Sequence, residues 1–328
     1  MEKVLVIGGA GYVGSQLVPE LLKTGRKVCV LDTFWYGKSQ FTLIDNPNLS
    51  LVEADMRDIQ KVKEELNQTH SVIHLACISN DPSFDLNPEL GKSVNLDSFL
   101  PLVKAIKNSG VEKFIYASSS SVYGIRDEEQ ITEDLHLEPL TDYSKFKAQC
   151  EDIMLNELGD EITQTIVRPA TVCGYSSRQR LDLVVNILTA HALLNRHIRV
   201  FGGSQFRPNL HISDMVASYL ALLNANHSLI HKEIFNIGSK NLTVKEIAET
   251  VQKEIDSDIP IEFQSTNDLR SYRVDSTKIE KRIGFAPKLS VNDAIADLRD
   301  NFHKLNSENP LSDSRYINIL RMKELNLG

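Results

Sequence analysis

Tyr143 and Lys147 stand four residues apart in the stretch D-Y-S-K-F-K. On a helix that spacing brings both side chains to one face. A lysine ammonium beside the phenol would lower its pKa from an ordinary value of about 10. A phenolate tuned in this way can take a hydroxyl proton while hydride leaves the neighbouring carbon. The same spacing also occurs on solvated helix faces, so the pair needs partners. A source of them is A-S-S-S-S-V-Y-G, Ala117 to Gly124, where four serines follow the apolar run Phe114-Ile115-Tyr116. Hydroxyls there either satisfy backbone groups at a strand end or face a reacting group.

A second constellation lies at the N-terminus. In V-L-V-I-G-G-A-G-Y-V-G, Gly8, Gly9, Gly11 and Gly14 separate an apolar run from a helical pattern, with Tyr12 and Val13 between the last two glycines. Glycines so placed allow a tight turn, close approach of backbone to a pyrophosphate and close helix-on-strand packing, and the helix N-terminus adds N–H groups and partial positive charge. Asp32 ends the next apolar run, where a carboxylate can bind a ribose hydroxyl. Thr33, Phe34 and Trp35 follow it rather than Arg or Lys, which favours NAD over NADP; Lys38 is the one nearby cation that could alter this.

These residues must be positioned by the elements around them. Val4 to Gly8, Lys27 to Leu31, Leu49 to Glu53, Ser71 to Leu75, Phe114 to Ala117 and Thr163 to Val167 are β-branched or aliphatic almost throughout and read as buried strands. Amphipathic stretches at Tyr12 to Thr24, Ile59 to Asn67, Pro88 to Ser109 and Asp142 to Leu158 alternate with them. The alternation predicts an α/β fold, a doubly wound parallel sheet with helices on both faces. Residues 1–174 are read as a dinucleotide-binding domain of Rossmann type. Residues 175–328 form mainly a smaller substrate-binding lobe, with a helix and strand near 210–238 returning to the sheet. The tail after Phe302 is weakly patterned.

Composition narrows the class. The 328-residue chain is 41% hydrophobic and 24% charged, as soluble globular proteins are. Its net charge of -8 argues against nucleic acid as a partner. No apolar run reaches membrane-spanning length, so a cytoplasmic protein is expected. Cys29, Cys77, Cys150 and Cys173 are scattered without metal-ligand spacing, which predicts reduced thiols and no metal site.

Taken with their order and spacing, the glycine turn, Asp32, Tyr143 and Lys147 resemble the extended short-chain dehydrogenase/reductase family, in particular its nucleotide-sugar epimerase and dehydratase branch. The resemblance runs through E-A-D-M-R-D, H-L-A-C-I-S, V-N-L-D-S, S-S-S-S-V-Y-G and R-P-A-T-V-C-G to F-G-G-S-Q-F-R-P-N-L-H-I-S-D-M, roughly residues 1 to 290. It implies that Asp55 and Met56 lie beside the adenine, that Leu75 and Ala76 edge the cofactor, and that Pro169 approaches its nicotinamide end. Asn95 is either a residue that orients Lys147 or an exposed helix asparagine. Counting back five from Gly124 makes Ser119 the partner of the substrate oxygen, with Ser118 on the cofactor side and Ser120 and Ser121 beside the sugar.

The resemblance also bears on the reaction. Dehydratases of the family carry an acidic pair, and decarboxylases a Glu, at the places held here by Ser120 and Ser121. Arg207 matches the diphosphate-binding arginine, Arg270 or Arg273 supplies a second clamp, and Arg178 and Arg180 add positive charge. Thr171 replaces a common asparagine. The implied activity is an NAD-dependent nucleotide-sugar 4-epimerase working through Ser119, Tyr143 and Lys147, as a homodimer, on a nucleotide-diphosphate sugar. The alternatives are an NAD(P)H-dependent reductase of a nucleotide 4-keto-deoxysugar and a non-catalytic, nucleotide-sensing member of the fold.

Overall fold

The structure, a computed structural model, describes residues 1–79, 81–266 and 270–328. Its centre is a parallel sheet of seven strands: β1 (Lys3–Ile7), β2 (Lys27–Asp32), β3 (Leu49–Glu53), β4 (Ser71–His74), β5 (Lys113–Ala117), β6 (Thr163–Pro169) and, after three strands outside the sheet, β10 (Glu233–Ile237). The three are β7 (Thr171–Cys173), β8 (Ile198–Phe201) and β9 (Phe206–His211); β11 (Asn241–Thr243) and β12 (Ile261–Gln264) follow β10. Spatial order in the large sheet is β3-β2-β1-β4-β5-β6-β10. Val4, Leu5, Val6 and Ile7 are all buried, because helices cover both faces of the sheet and a strand there has no wet side.

The helices follow from amphipathic spacing and capping. They are α1 (Gly14–Lys23), α2 (Ile59–Leu66), α3 (Asp81–Leu86), α4 (Pro88–Lys92), α5 (Phe99–Lys107), α6 (Asp142–Glu157), α7 (Val184–Asn195), α8 (Ile212–Asn224), α9 (His227–Ile230), α10 (Val244–Ile255), α11 (Thr277–Ile283), α12 (Val291–Asn301) and α13 (Asn318–Glu324). Asp58 starts α2 by accepting from Gln60 and Lys61 N–H, and Thr141 starts α6 in a reciprocal capping box with Ser144. One apolar cluster packs residues of α1 and α8 on one face of the sheet, and a second packs α2, α5 and α6 on the other. A third, drawn from α7, α10, α12, β8 and nearby loops, is the core of the second lobe.

Strand order turns around between β1 and β4, since β2 and β3 lie to one side and β5 and β6 to the other. The carboxyl ends of strands at such a switch point leave a crevice for a ligand. Gly8 and Ala76, just beyond those two strands, approach so closely that a Cβ on Gly8 would lie 2.4 Å from the Ala76 nitrogen.

Two stretches differ from the sequence expectation. Pro88 to Ser109 is not one helix: α4 passes into a π-helical turn at Ser93–Asp97, where Ser98 N–H bonds the Ser93 carbonyl at 3.2 Å, and α5 begins beyond it. The weakly patterned tail is also ordered. Its helix α13 has only seven residues, too few for a recognisable apolar period, yet Met322 packs with Ile78 and Phe84.

A buried ion pair ties the sheet to α6. Arg168 on β6 grips Glu151 on α6 through Nη2 at 2.6 Å and Nε at 3.0 and 3.2 Å, with side-chain exposures of 3% and 2%. Arg168 Nη1 also donates to the Tyr123 hydroxyl at 2.8 Å, which in turn donates to Asn236 on β10 at 2.8 Å. Removing one member leaves a buried charge without its partner, a loss of about 3–5 kcal/mol. Arg168→Met should lower the free energy of urea unfolding by that much; a change under about 1 kcal/mol, the range of an exposed pair, would show that the pair is not structural.

Candidate active site

The cofactor half is built from the first βα turn. Gly8 has φ +82°, a backbone conformation that side chains rarely adopt, and a Cβ on Gly14 would lie 2.4 Å from the Gly9 carbonyl oxygen. The first turn of α1 therefore meets the end of β1 with no room for a side chain at either position. Asp32 accepts from Ala10 N–H at 2.9 Å and from Phe34 N–H at 2.8 Å, so its carboxylate is fixed beside the turn. Burial pushes that carboxyl up, and these two N–H groups and the nearby Arg178 act in the other direction. Lys38 pairs with Glu53 at 2.7 Å and covers the Phe34 ring, a placement that occupies its ammonium.

Gly11, Tyr12, Val13, Asp55, Met56, Leu75, Ala76 and Pro169 all border the same cleft. Tyr12 turns its hydroxyl to the Gly174 carbonyl at 2.6 Å and receives Asn186 Nδ2 at 3.1 Å, which binds the glycine turn to the segment leading into the second lobe. Asp55 is paired with Arg57 at 2.6 Å. A cradle that any Cβ would fill, a helix N-terminus and a fixed carboxylate together fit a dinucleotide of the NAD type.

The catalytic half lies where β5 ends. Ser119 accepts from Ser121 N–H at 3.1 Å and so caps the turn Ser120–Tyr123; its hydroxyl lies 2.9 Å from that of Ser121 and is near enough to the Tyr143 phenol to lower its pKa. It thus serves the strand end and the phenol together. Ser118 borders the cleft with its hydroxyl donating to Glu151, and Ser120, also at the cleft, is buried at the base of the turn. Lys147 donates to the Ala117 carbonyl at 2.6 Å and lies 5.9 Å from the centre of the Tyr143 ring.

The sequence predicts a phenol whose pKa the lysine lowers. In the structure burial is the larger influence and holds Tyr143 above its ordinary value, opposed by the Ser119 hydroxyl and by Arg180. The reason is geometric: the ammonium is anchored on the end of β5, alongside the ring. Asn95 also differs from the orienting role considered for it. Its amide clasps Ile78, donating to the carbonyl and accepting from the N–H, both at 2.9 Å, and it lies outside the cleft lining. The π-helical turn carries Asn95 to the Ile78 loop and leaves Ala117 as the anchor of Lys147.

The cleft, about 890 Å³, continues from Tyr143 into the second lobe past Thr171, Arg180, Arg207 and Arg270. Arg207 donates to the Arg270 carbonyl, and Arg270 pairs with Asp81. Arg273 instead lies over the Phe206 ring and donates to the Asp127 carbonyl at 3.0 Å, away from the cleft, so of the two candidates Arg270 is the one that faces it. Arg180 is held by Asp182 at 2.9 Å and by the Ser79 hydroxyl at 2.9 Å. His211 caps α8 by accepting from Ser213 N–H at 3.1 Å. No group of three or more metal-ligating side chains occurs among the described residues, and none of their helices is long and apolar enough to cross a membrane.

Sequence reasoning missed Tyr36, Ser79, Asp81, Asn318, Ile319 and Met322, which also line the cleft. Ser79 closes the H-L-A-C-I-S stretch, and the others carry no motif. They arrive through a loop, the short helix α3 and the tail, where no periodic pattern marks which side faces inward.

Residues 4–238 match the NAD dependent epimerase/dehydratase family. The UDP-glucose 4-epimerase of Lactobacillus helveticus is 30% identical over 316 residues, 90% of this chain and 95% of that protein. UDP-glucuronic acid decarboxylase 1 of Arabidopsis thaliana is 27% identical over 92% of this chain and 69% of its own length. The crystal structure of the UDP-glucuronic acid 4-epimerase of Bacillus cereus, in complex with UDP-glucuronic acid and NAD, superposes with a TM-score of 0.81 at 25% identity. The superposition covers 92% of this chain and 99% of that one.

Because the Ser119 hydroxyl opposes the effect of burial on Tyr143, Ser119→Ala should raise the phenol further. Proton abstraction by Tyr143 would then need higher pH. In the profile of log kcat/KM against pH, the rising limb should move to higher pH in the variant, and an unmoved limb would exclude Tyr143 as the base.

Proposed function

The chain belongs to the NAD-dependent epimerase/dehydratase family, and from that premise we propose that it is a nucleotide-sugar 4-epimerase. The observation that carries the reading is the convergence of Ser119, Tyr143 and Lys147 in one cleft beside two residues, Ser120 and Ser121, that lack a carboxylate. Tyr143 takes the proton of the sugar C4 hydroxyl, Ser119 holds that oxygen, and Lys147 offsets the developing phenolate charge. The glycine turn and Asp32 would hold NAD, which would supply hydride acceptance and return at C4, so that inversion would pass through a 4-keto sugar. Arg207 and Arg270 supply guanidinium groups for the nucleotide diphosphate, and Arg180 borders the sugar end of the cleft.

The similarity to a UDP-glucuronic acid decarboxylase raises a second reading, loss of carbon dioxide from a nucleotide hexuronate. The hydroxyls of Ser120 and Ser121 oppose it, because neither can take the acid and base steps that a carboxylate performs. A 4-keto sugar reductase needs the same three residues and differs in consuming reduced cofactor.

One assay separates these reactions. Purified protein with no added NAD, given neutral and uronic nucleotide sugars, should interconvert C4 epimers without net change in reduced nicotinamide or release of carbon dioxide. Loss of nicotinamide absorbance on a 4-keto sugar would establish the reductase, carbon dioxide release the decarboxylase, and no turnover across the panel would overturn the proposal. Tyr143→Phe should lower kcat by roughly 10²–10⁴-fold with bound NAD retained; an activity within a factor of about three would assign the proton to another group.

A further inference from the structure

Arg178 has a buried guanidinium in direct contact with no carboxylate, although Asp32 and Asp182 act on it from farther away. It is 5% exposed, its guanidinium lies 3.5 Å over the Tyr36 ring, and its Nη2 donates to the Asn318 side-chain oxygen at 2.6 Å. An aromatic face and a neutral amide are its partners. Among the described residues no carboxylate lies within ion-pair distance of it, and its Nε is buried without a hydrogen-bond partner. A buried cation in such surroundings is unfavourable unless an anion completes the site, and burial accordingly pulls the Arg178 pKa down to about 10.

Its position tells which anion. Arg178 borders the cleft together with Gly11, Val13 and Gly14 at the start of α1 and with Asp32. Its backbone N–H donates to the Ser15 hydroxyl in the first turn of α1 at 3.3 Å. Arg180, by contrast, acts electrostatically on Tyr143 at the sugar end and already has Asp182 as its counter-ion.

The tail sets this geometry. Asn318 is buried; besides holding Arg178, it donates through Nδ2 to the Ser79 hydroxyl at 3.2 Å and through its backbone N–H to Asp182 at 3.2 Å. Tyr316 accepts from Leu181 N–H at 2.9 Å, and Arg321 donates to the Trp35 carbonyl next to Tyr36. The segment between Tyr316 and Arg321 therefore grips both sides of the guanidinium.

We propose that Arg178 binds a phosphate of the dinucleotide, its Nε–H donating to a phosphate oxygen at the N-terminal end of α1, and that Asn318 is the positioning residue that aims it. The phosphate supplies the partner that Nε lacks and a directly contacting anion, and the C-terminal segment becomes part of the cofactor site.

Dissociation constants of NAD, ADP and adenosine are measured on the full-length protein, Arg178→Met, Asn318→Ala and the double variant. Arg178→Met should weaken NAD and ADP by ~10- to 100-fold, the range of a hydrogen bond to a charged group, and adenosine by less than about threefold. Asn318→Ala should weaken ADP in the same sense, with no further effect when Arg178 is already Met. Unchanged ADP affinity in Arg178→Met, or equal weakening of ADP and adenosine, would overturn the assignment. Additive effects in the double variant would overturn the positioning role. If Arg178→Met does not fold, the ADP-to-adenosine comparison in Asn318→Ala decides alone.

Discussion

The buried pair of Arg168 and Glu151 is the constraint on which the site depends. Glu151 also accepts from Ser118, and Arg168 also holds Tyr123, so one ion pair joins β6, the turn after β5 and α6. Ser119 sits one residue beyond Ser118 on that turn, while Tyr143 and Lys147 stand two turns and one turn, respectively, before Glu151 on α6. A rotation of α6 that moved Tyr143 away from Ser119 would have to break this pair in a dry environment. Such pairs contribute little net stability compared with apolar packing, but they are expensive to break, which suits a site that needs one fixed geometry.

Tyr143 stands between opposing influences. Burial keeps the proton on the phenol, whereas the Ser119 hydroxyl and the arginine charge favour its departure. Lys147, anchored on the Ala117 carbonyl, is close enough to stabilise a phenolate without forming one in advance. Once its own proton has left, a phenolate in such a site is a strong base, able to take a hydroxyl proton and return it to the same oxygen. The Ser120 and Ser121 hydroxyls add no competing acid or base.

Much of the fold was legible because its signals are local. Buried strands are apolar on both faces, and the glycine turn is required by contacts too close for any Cβ, as Gly8 and Gly14 show. Tyr143 and Lys147 share a face because of helical spacing alone. What escaped was tertiary. Asn95 is carried to Ile78 by a π-helical turn that no spacing rule foresees, and Arg273 lies on Phe206 while Arg270, three residues earlier, faces the cleft. The direction of the Tyr143 shift depends on burial, which spacing does not reveal. The tail reads as unpatterned because seven residues of α13 cannot display a period, although Asn318 reaches the cofactor half.

A nucleotide sugar carrying deuterium at C4 tests the proposed chemistry most directly. Incubated with the purified protein and no added cofactor, it should give the C4 epimer with deuterium still at C4, since the hydride that leaves that carbon returns to it. Epimerisation with the label lost to water, or no epimer until reduced cofactor is supplied, would contradict a 4-epimerase acting through Tyr143.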